Sequence, residues 1–499
     1  MSVAENFPCF SIVLCMAAGI LSTPMKGRQA KNLTLAAVTL VAFLSLATLA
    51  HVLSAGGSFV YTMGRFPAPW GNELRAGALE AMLAAVFSLV MLFSLLGGMD
   101  HIFRIIDETK INLYFILVDL LLSSLLAIIY TNDLFTGYVF VEINTIAAGG
   151  MIMIRGSGRS LIAAARYMVM SLIGSGLFLI GLAMLYDITG HLLMENAHTV
   201  MEELVREGAY SIPLLVIISF ITVGLAIKSG LYPFHSWMPD AYGYSTISSS
   251  SILSSLVSKS YIILLIKIFY RVIGFENIVS SKIVNVLFVF GLVGMVMGSV
   301  GAIMAKDIYR MIAYSSIAQI GYVYMGIGLG TEAGMTAAVF HILTHAVTKS
   351  LLFLSAKGLC DASGRKRVFR ALQGAAFRNP LAGAAFLVGS LSMVGIPMLA
   401  GFISKLLFAT AALGAAPGKV LVTLIVLAVS TILNAVYFLH TVVRVYTPVG
   451  APEEVRDVRL HPSAGTAFAL LCLIFMNFAM GLMSQPVTDL IHLGIGMFA

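Results

Sequence analysis

Charge is scarce in this chain. Asp, Glu, Lys and Arg make up 11% of its 499 residues, against about 25% in ordinary soluble domains. That scarcity excludes a water-soluble globule, which would have to expose too much apolar surface. Cysteine is scarce as well. The four present, Cys9, Cys15, Cys360 and Cys472, form no CxxC pair or other metal-ligand spacing. They read as small apolar residues in or beside spans, and an iron–sulfur cluster held by this chain alone is not expected. A Walker sequence is missing, which argues against ATP-driven pumping. The start, MSVAENFPCFSIVLCMAAGIL, has no basic residues ahead of its apolar run, so it reads as a first span rather than a cleaved signal.

What is present is apolar length. Hydrophobic residues make up 59% of the chain and runs long enough to cross a bilayer recur from end to end. The pattern predicts an all-α membrane protein of one domain with fourteen spans: 8–23, 33–54, 78–99, 112–130, 133–154, 161–186, 211–233, 245–270, 283–304, 309–328, 335–357, 381–413, 418–443 and 465–490. The seventh is interrupted by Gly230 and Pro233, the twelfth by Gly395, Pro397 and Gly401.

The net charge of +7 is a topology signal and not a nucleic-acid signal, because the basic residues sit in short loops. With the N-terminus outside, eighteen fall on inner loops, from Lys26, Arg28 and Lys31 through Arg155, Arg159 and Arg166 to Arg444, Arg456 and Arg459. Six fall on outer loops: Arg65, Arg75, Arg206, Arg271, Lys282 and Lys419. This asymmetry predicts a multi-pass protein of the cytoplasmic (inner) membrane with both termini outside, and an acidic outer loop from Asp187 to Tyr210.

The other six basic residues lie within spans, and all are lysine: Lys228, Lys259, Lys267, Lys349, Lys357 and Lys405. A lysine responds to burial by changing its proton affinity, whereas arginine stays charged. Each costs roughly 3 kcal/mol at the bilayer centre, so several without a purpose would be a large penalty. Lys267 and Lys357, near span ends, have a cheaper reading, snorkelling to the headgroups. Lys228 and Lys405 flank the two breaks. The broken spans are five apart, so they run in opposite directions, as in inverted repeats, here about 112–270 and 283–443.

Glu142 sits near mid-membrane in LFTGYVFVEINTIAAGGMIMI. It suits a counter-charge for a buried lysine, with Lys228 the first candidate; a static packing pair is the other reading. Lys228 and Lys259 are expected to carry protons, against a static or snorkelling role. His341 and His345 lie four apart on one helix face, and Lys349 continues the stripe, which suits a proton relay. Two histidines are too few for a metal site. Lys405, eight residues after Pro397, is expected to be a carrier or release site. Asp119 and Glu80 are weaker candidates, Glu80 being readable as interfacial. His235, Trp237 and Asp240 surround the first break and either line an access point or cap the broken helix. Gly291, Gly294, Gly298 and Gly301 lack nucleotide-loop order and read as close helix packing.

Several motifs, in order over about residues 75–445, resemble one family. YPFHSWMPDAY, with Lys228 five residues before Pro233, resembles the broken seventh helix of the antiporter-like subunits of respiratory complex I. These are similar to subunits of Mrp-type cation/proton antiporters and membrane-bound hydrogenases. NDLFTGYVFVE resembles the fifth helix, ending in Glu142; KDIYRMIAYSSIAQIGY the tenth; HILTHAVTKSLLFLSAKG the eleventh; and LSMVGIPMLAGFISK the broken twelfth, ending in Lys405. The resemblance implies a Glu142–Lys228 pair, Lys259 and the histidines as a midplane relay, and Lys405 as the distal carrier. It also implies membrane and peripheral partner subunits, H+ or Na+ as cargo, and no cofactor on this chain: quinone, flavin or iron–sulfur clusters belong to partners. Three departures stand out. GYSTISSSSILSS follows where the family has a proline-containing stretch, Arg166 replaces a common lysine, and no long lateral helix follows the last span. Lysine at 405 is closer to the D-type antiporter of Mrp complexes or the N-type antiporter of complex I than to the M-type. The competing expectations are a stand-alone secondary transporter for a small solute and a membrane scaffold whose buried charges only hold helices together.

Overall fold

In hydrocarbon every backbone N–H and C=O must be satisfied within its own segment, so long apolar runs coil into helices. The computed structural model describes residues 3–66, 71–208, 210–448 and 460–498. It is an all-α membrane protein. In order come α1 (Phe7–Leu21), α2 (Gly27–Ala55), a hairpin of β1 (Phe59–Thr62) and β2 (Glu73–Ala76), α3 (Ala78–Ile105), α4 (Ile111–Tyr130), α5 (Leu134–Met153) and α6 (Gly158–Thr189). Next are α7 (Met194–Arg206), α8 (Ser211–Ser229), α9 (Met238–Tyr244), α10 (Ile247–Ile252), α11 (Ser258–Ile268), α12 (Phe275–Ser280), α13 (Ile283–Met304) and α14 (Ile308–Gly328). The last are α15 (Glu332–Asp361), α16 (Ala375–Arg378), α17 (Pro380–Val394), α18 (Ala400–Leu413), α19 (Pro417–Tyr446), α20 (Ala464–Leu482) and α21 (Ser484–Gly496). The hairpin is antiparallel, with Phe59 opposite Ala76 and Thr62 opposite Glu73.

Among the described residues, twelve helical segments are long and apolar enough to cross a membrane. The expected tenth span, α14, is 21 residues long, but its serines, tyrosines, glycines and Gln319 keep it out of that set. The expected twelfth is two shorter apolar helices, α17 and α18. The expected last span divides at Met483 into α20 and α21. The acidic loop contains an amphipathic helix, α7, which buries Met194, Ala197 and Met201. Arg456 and Arg459, counted in the charge pattern, lie outside the described residues.

Both expected breaks are present, although Gly401, expected to interrupt the second, lies inside the first turn of α18. Helix α8 stops at Ser229, and Gly230 turns the chain with φ 79° before α9. Helix α17 stops at Val394, and Gly395 turns it with φ 91° before α18. Both φ values lie in the left-handed region, which a glycine enters without a Cβ clash. A π-helical turn, Leu253–Val257, joins α10 to α11, and a second, Phe269–Ile273, follows α11. Such turns displace side chains from the regular helical stripe and recur at functional sites.

The helices that carry most of the in-span charges are at the centre. The apolar windows of Ile247–Ile273 and of α15 are wholly buried, whereas α19 turns Ile425, Ile432 and Val443 outward. Burying charge while exposing aliphatic side chains suits a molecule whose solvent is lipid. The glycine stripe of α13 packs directly on α14. A Cβ on Gly298 would sit 2.4 Å from the Ala318 nitrogen, and one on Gly291 2.5 Å from the Met325 nitrogen.

Candidate functional site

The Glu142 carboxylate lies 3.3 Å from the Lys228 ammonium, joining the middle of α5 to the last turn of α8. The lysine side chain is completely buried and the glutamate is 29% exposed. Lys228 also donates to Thr145 Oγ1 at 2.7 Å, and Ser175 of α6 donates to the glutamate. The Lys228 ammonium is 5.5 Å from the centre of the Tyr261 ring, a cation–π distance. The pair therefore keeps one hydroxyl contact on each side.

Beyond the π-helical turn, Lys259 donates to the carbonyl of Ser254, and the Ser254 hydroxyl meets that of Ser316 on α14 at 2.9 Å. A π-helical turn spaces backbone groups more widely than an α-turn, and Lys259 donates to a carbonyl within it. Lys349 donates to the Ile312 carbonyl at 3.0 Å and to the Ser315 hydroxyl. Both nitrogens of His345 are buried without a hydrogen-bond partner among the described residues, and the charges of Lys259 and Lys349 act on it. His341 and His345 stack with ring centres 6.0 Å apart. His341 Nδ1 meets Ser404 Oγ at 2.6 Å, and its ring stacks on Tyr322 at 5.4 Å. Lys405 closes the row. It donates to the Val394 carbonyl at the end of α17, 2.7 Å, and to Thr431 at 3.0 Å, and lies 5.9 Å from the Tyr322 ring centre. A cation at a helix C-terminus meets orphan carbonyls and the negative end of the helix dipole, so the second break is what holds Lys405. The structure thus sets Lys259, Lys349, His345 and His341, all buried, and the part-buried Lys405 into one polar row. At its other end Glu142 and Lys228 form a pair.

Such a row can shuttle charge. The partners of Lys259, Lys349 and Lys405 are carbonyls and hydroxyls, which accept from an ammonium yet do not lock it there as a carboxylate would. Like charges repel in a low-dielectric interior, so a proton arriving on one group favours departure from the next. Among the described residues, no three His, Cys, Asp or Glu side chains are grouped to hold a metal ion.

Residues 131–432 match the family described as NADH:quinone oxidoreductase/Mrp antiporter, TM. The chain belongs to this family. It is 32% identical over 441 residues to the N subunit of the NADH-quinone oxidoreductase of Desulforudis audaxviator, covering 88% of this chain and 86% of that one. It is 24% identical to the D subunit of the Na(+)/H(+) antiporter of Bacillus subtilis, covering 94% of each. Its fold matches a chain of the membrane-bound sulfane sulfur reductase, an archaeal respiratory membrane complex, with TM-score 0.87 and 25% identity over all of this chain and 98% of that one. It also matches the Mrp complex from Dietzia sp., with TM-score 0.87, 23% identity and coverage of 99% and 97%. These relatives are antiporter-like subunits of multisubunit membrane complexes, which disfavours a stand-alone transporter.

Other expectations for this family member are corrected by burial. Lys267 does not snorkel: it is fully buried and held by the carbonyls of Ile129 and Thr131. Lys357 is 5% exposed and donates to the Gly97 carbonyl. Arg271, assigned to an outer loop, and Glu80, read as interfacial, form a buried ion pair at 2.6 Å. Segments distant in sequence cover them: the end of α4 receives Lys267, Phe498 lies over Arg271, and the Gly97 carbonyl of α3 receives Lys357. Asp119 is buried and accepts from Thr34 at 2.8 Å, away from the row. The serine stretch, read as a departure, is buried: Ser251 of α10, Ser94 of α3 and Ser350 of α15 meet as a triangle of hydroxyls at 2.8 to 2.9 Å.

At the first break, His235 stacks on Tyr232 with ring centres 5.0 Å apart, beside Pro233, and Trp237 is buried. Pro397 lies in the linker between α17 and α18. Asp240 is a bridge, paired with Arg166 at 2.6 Å and Arg310 at 3.3 Å. It ties α9 to α6 and α14. Replacing Asp240 with Asn is expected to loosen α9 at a cost below about 1 kcal/mol, since both arginines are part-exposed. Faster hydrogen exchange over residues 234–244, with the rest of the chain unchanged, is the measurement.

Proposed function

We propose that this subunit translocates protons, or exchanges protons for sodium ions, along the polar row from Glu142 and Lys228 to Lys405. The observation that carries the reading is the 3.3 Å pair itself: a fully buried lysine, at a helix break, held by a glutamate that is part-exposed at mid-span. Opening that pair leaves the ammonium with only the Thr145 hydroxyl and the Tyr261 ring, and its proton passes to the row. Closing it draws a proton back. His235, Pro233 and Asp240 at the first break and Pro397 at the second are read as the places where ions gain access or helices flex.

The partial exposure of Glu142 also supports a partner. Around it Phe135, Val139 and Ile146 of α5 face outward. A carboxylate left among aliphatic side chains in lipid would be expensive, so a neighbouring subunit with a polar group at that depth is the fitting cover. We read the driving chemistry, and any quinone, flavin or iron–sulfur centre, as belonging to such partners. The two inverted repeats, 112–270 and 283–443, and a cytoplasmic-membrane setting with both termini outside complete the reading. The basic excess on one set of loops supports that orientation.

The test is ion movement by the intact complex in sealed vesicles, with sodium present and with sodium replaced by an impermeant cation. Glu142→Gln is expected to lower translocation at least about tenfold, a barrier increase of about 1.4 kcal/mol or more, with the subunit still in the complex. Sodium dependence separates exchange from proton movement alone. Unaltered translocation in Glu142→Gln would refute the reading.

A further inference from the structure

The end of the molecule bounded by the hairpin, α7 and α21 holds a second buried charged cluster that the row does not use. Lys267 lies eight residues beyond Lys259 on α11, about 12 Å along the helix axis. Its ammonium donates to the carbonyls of Ile129, 2.7 Å, and Thr131, 2.6 Å. It feels the charges of Arg271, Glu80 and Arg75. Glu80 is 2.6 Å from Arg271, and Phe498 covers the guanidinium at 4.3 Å. Arg75 of β2 donates to the Met497 carbonyl at 3.0 Å. Nε and Nη1 of Arg271 are buried without a hydrogen-bond partner among the described residues, as is the Tyr130 hydroxyl. Buried donors orphaned in this way mark places for water or an ion.

Polar groups approach this cluster from both directions. Inward, the Tyr261 ring that faces Lys228 carries a hydroxyl donating to Asn144 at 2.9 Å, and the Asn144 amide donates to Ser124 at 3.0 Å. Ser124 is five residues before Ile129 on α4, about 8 Å along the axis. Outward, a cavity of about 1000 Å³ is lined by Tyr270, by the three acids Glu202, Glu276 and Glu332, and by His198 and Arg206, so the carboxylates outnumber the one arginine. Tyr270 is 7% exposed, and its hydroxyl has no hydrogen-bond partner among the described residues. Its ring meets Phe498 edge-on at 6.3 Å, the same ring that covers Arg271, and so links cluster to cavity.

We propose that Lys267, the Glu80–Arg271 pair and this acid-lined cavity form the subunit's route of ion release and uptake on the face that carries α7. The proposal rests on the translocation reading above. A proton reaching Lys267 leaves its Nζ for the Glu80 carboxylate or for water beside Arg271, and Lys267 is left neutral. Arg271 keeps its charge throughout and repels the next proton until the first has gone. The acids of the cavity raise the local cation concentration at the mouth.

The test uses the intact complex in vesicles of both orientations. Lys267→Met is expected to cut translocation at least about tenfold with assembly retained. The apolar pair Glu80→Leu with Arg271→Met, which keeps packing without charge, is expected to do the same. Glu276→Gln with Glu332→Gln, at the mouth, is expected to lower the rate severalfold and blunt its response to pH jumps on the α7 side only. Wild-type rates in Lys267→Met and in the apolar pair would overturn the route. If those variants fail to assemble, the mouth variant decides: an unaltered rate and an unaltered response on both sides overturn it. Glu142→Gln runs alongside. If it blocks translocation while Lys267→Met does not, only this route falls; if neither blocks, the translocation reading falls.

Discussion

Lys228→Met should abolish ion translocation and leave the subunit in its complex, and Lys228→Arg should do the same. Methionine approximates the lysine stem in volume, so the last turn of α8 keeps its packing. Removing one member of a buried ion pair costs about 3–5 kcal/mol when the other is stranded. Here the stranded group is the more exposed one and retains the Ser175 hydrogen bond, so the loss should fall at the lower end. Arginine is the sharper probe. It keeps the positive charge facing Glu142 and therefore rescues whatever a static pair contributes, yet it cannot give up its proton. Native-gel assembly and vesicle acidification, measured on both variants, separate the roles. A Lys228→Arg complex that pumps at the normal rate would make the pair a structural staple.

Gly298→Leu should prevent assembly altogether. The new Cβ would lie 2.4 Å from the backbone nitrogen of Ala318, and backbone cannot swing aside as a flexible side chain can. Helix α14 must move outward as a whole. It carries the Ile312 carbonyl and Ser315 hydroxyl that hold Lys349, and the Ser316 hydroxyl that meets Ser254 beside Lys259. Overpacking alone costs about 1–3 kcal/mol, and leaving buried lysines without acceptors adds more than that. Gly294→Ala is the control. Its Cβ would be 3.4 Å from the nearest atom, a side-chain carbon of Tyr232, and should be tolerated. Detergent-extracted yield and thermal unfolding of the two variants give the comparison. Equal stability would mean that the α13–α14 contact is looser than its geometry.

Glu142 and Lys228 are conspicuous in the sequence alone because an ion in an apolar run is expensive wherever it points. His341, His345 and Lys349 shared a stripe by spacing alone. The sequence does not place Lys267, Arg271 and Glu80, for a definite reason. Near a span end, a long charged side chain reaches headgroups as readily as it reaches a buried partner, and periodicity does not distinguish the two. The serines of 245–255 stand out in the sequence only as a local oddity, because their partners Ser94, Ser316 and Ser350 come from distant helices.

Composition and hydropathy by themselves determined that this is a helical membrane protein with titratable groups in its spans, since lipid admits few other structures and makes each buried ion costly. Which of those ions meet was decided only when the helices packed. The 3.3 Å between Glu142 and Lys228, the carbonyl at the end of α17 that receives Lys405, and the covering of Arg271 are all set by segments far apart in the chain. Helical periodicity says which face a residue occupies, and close packing alone says what that face touches.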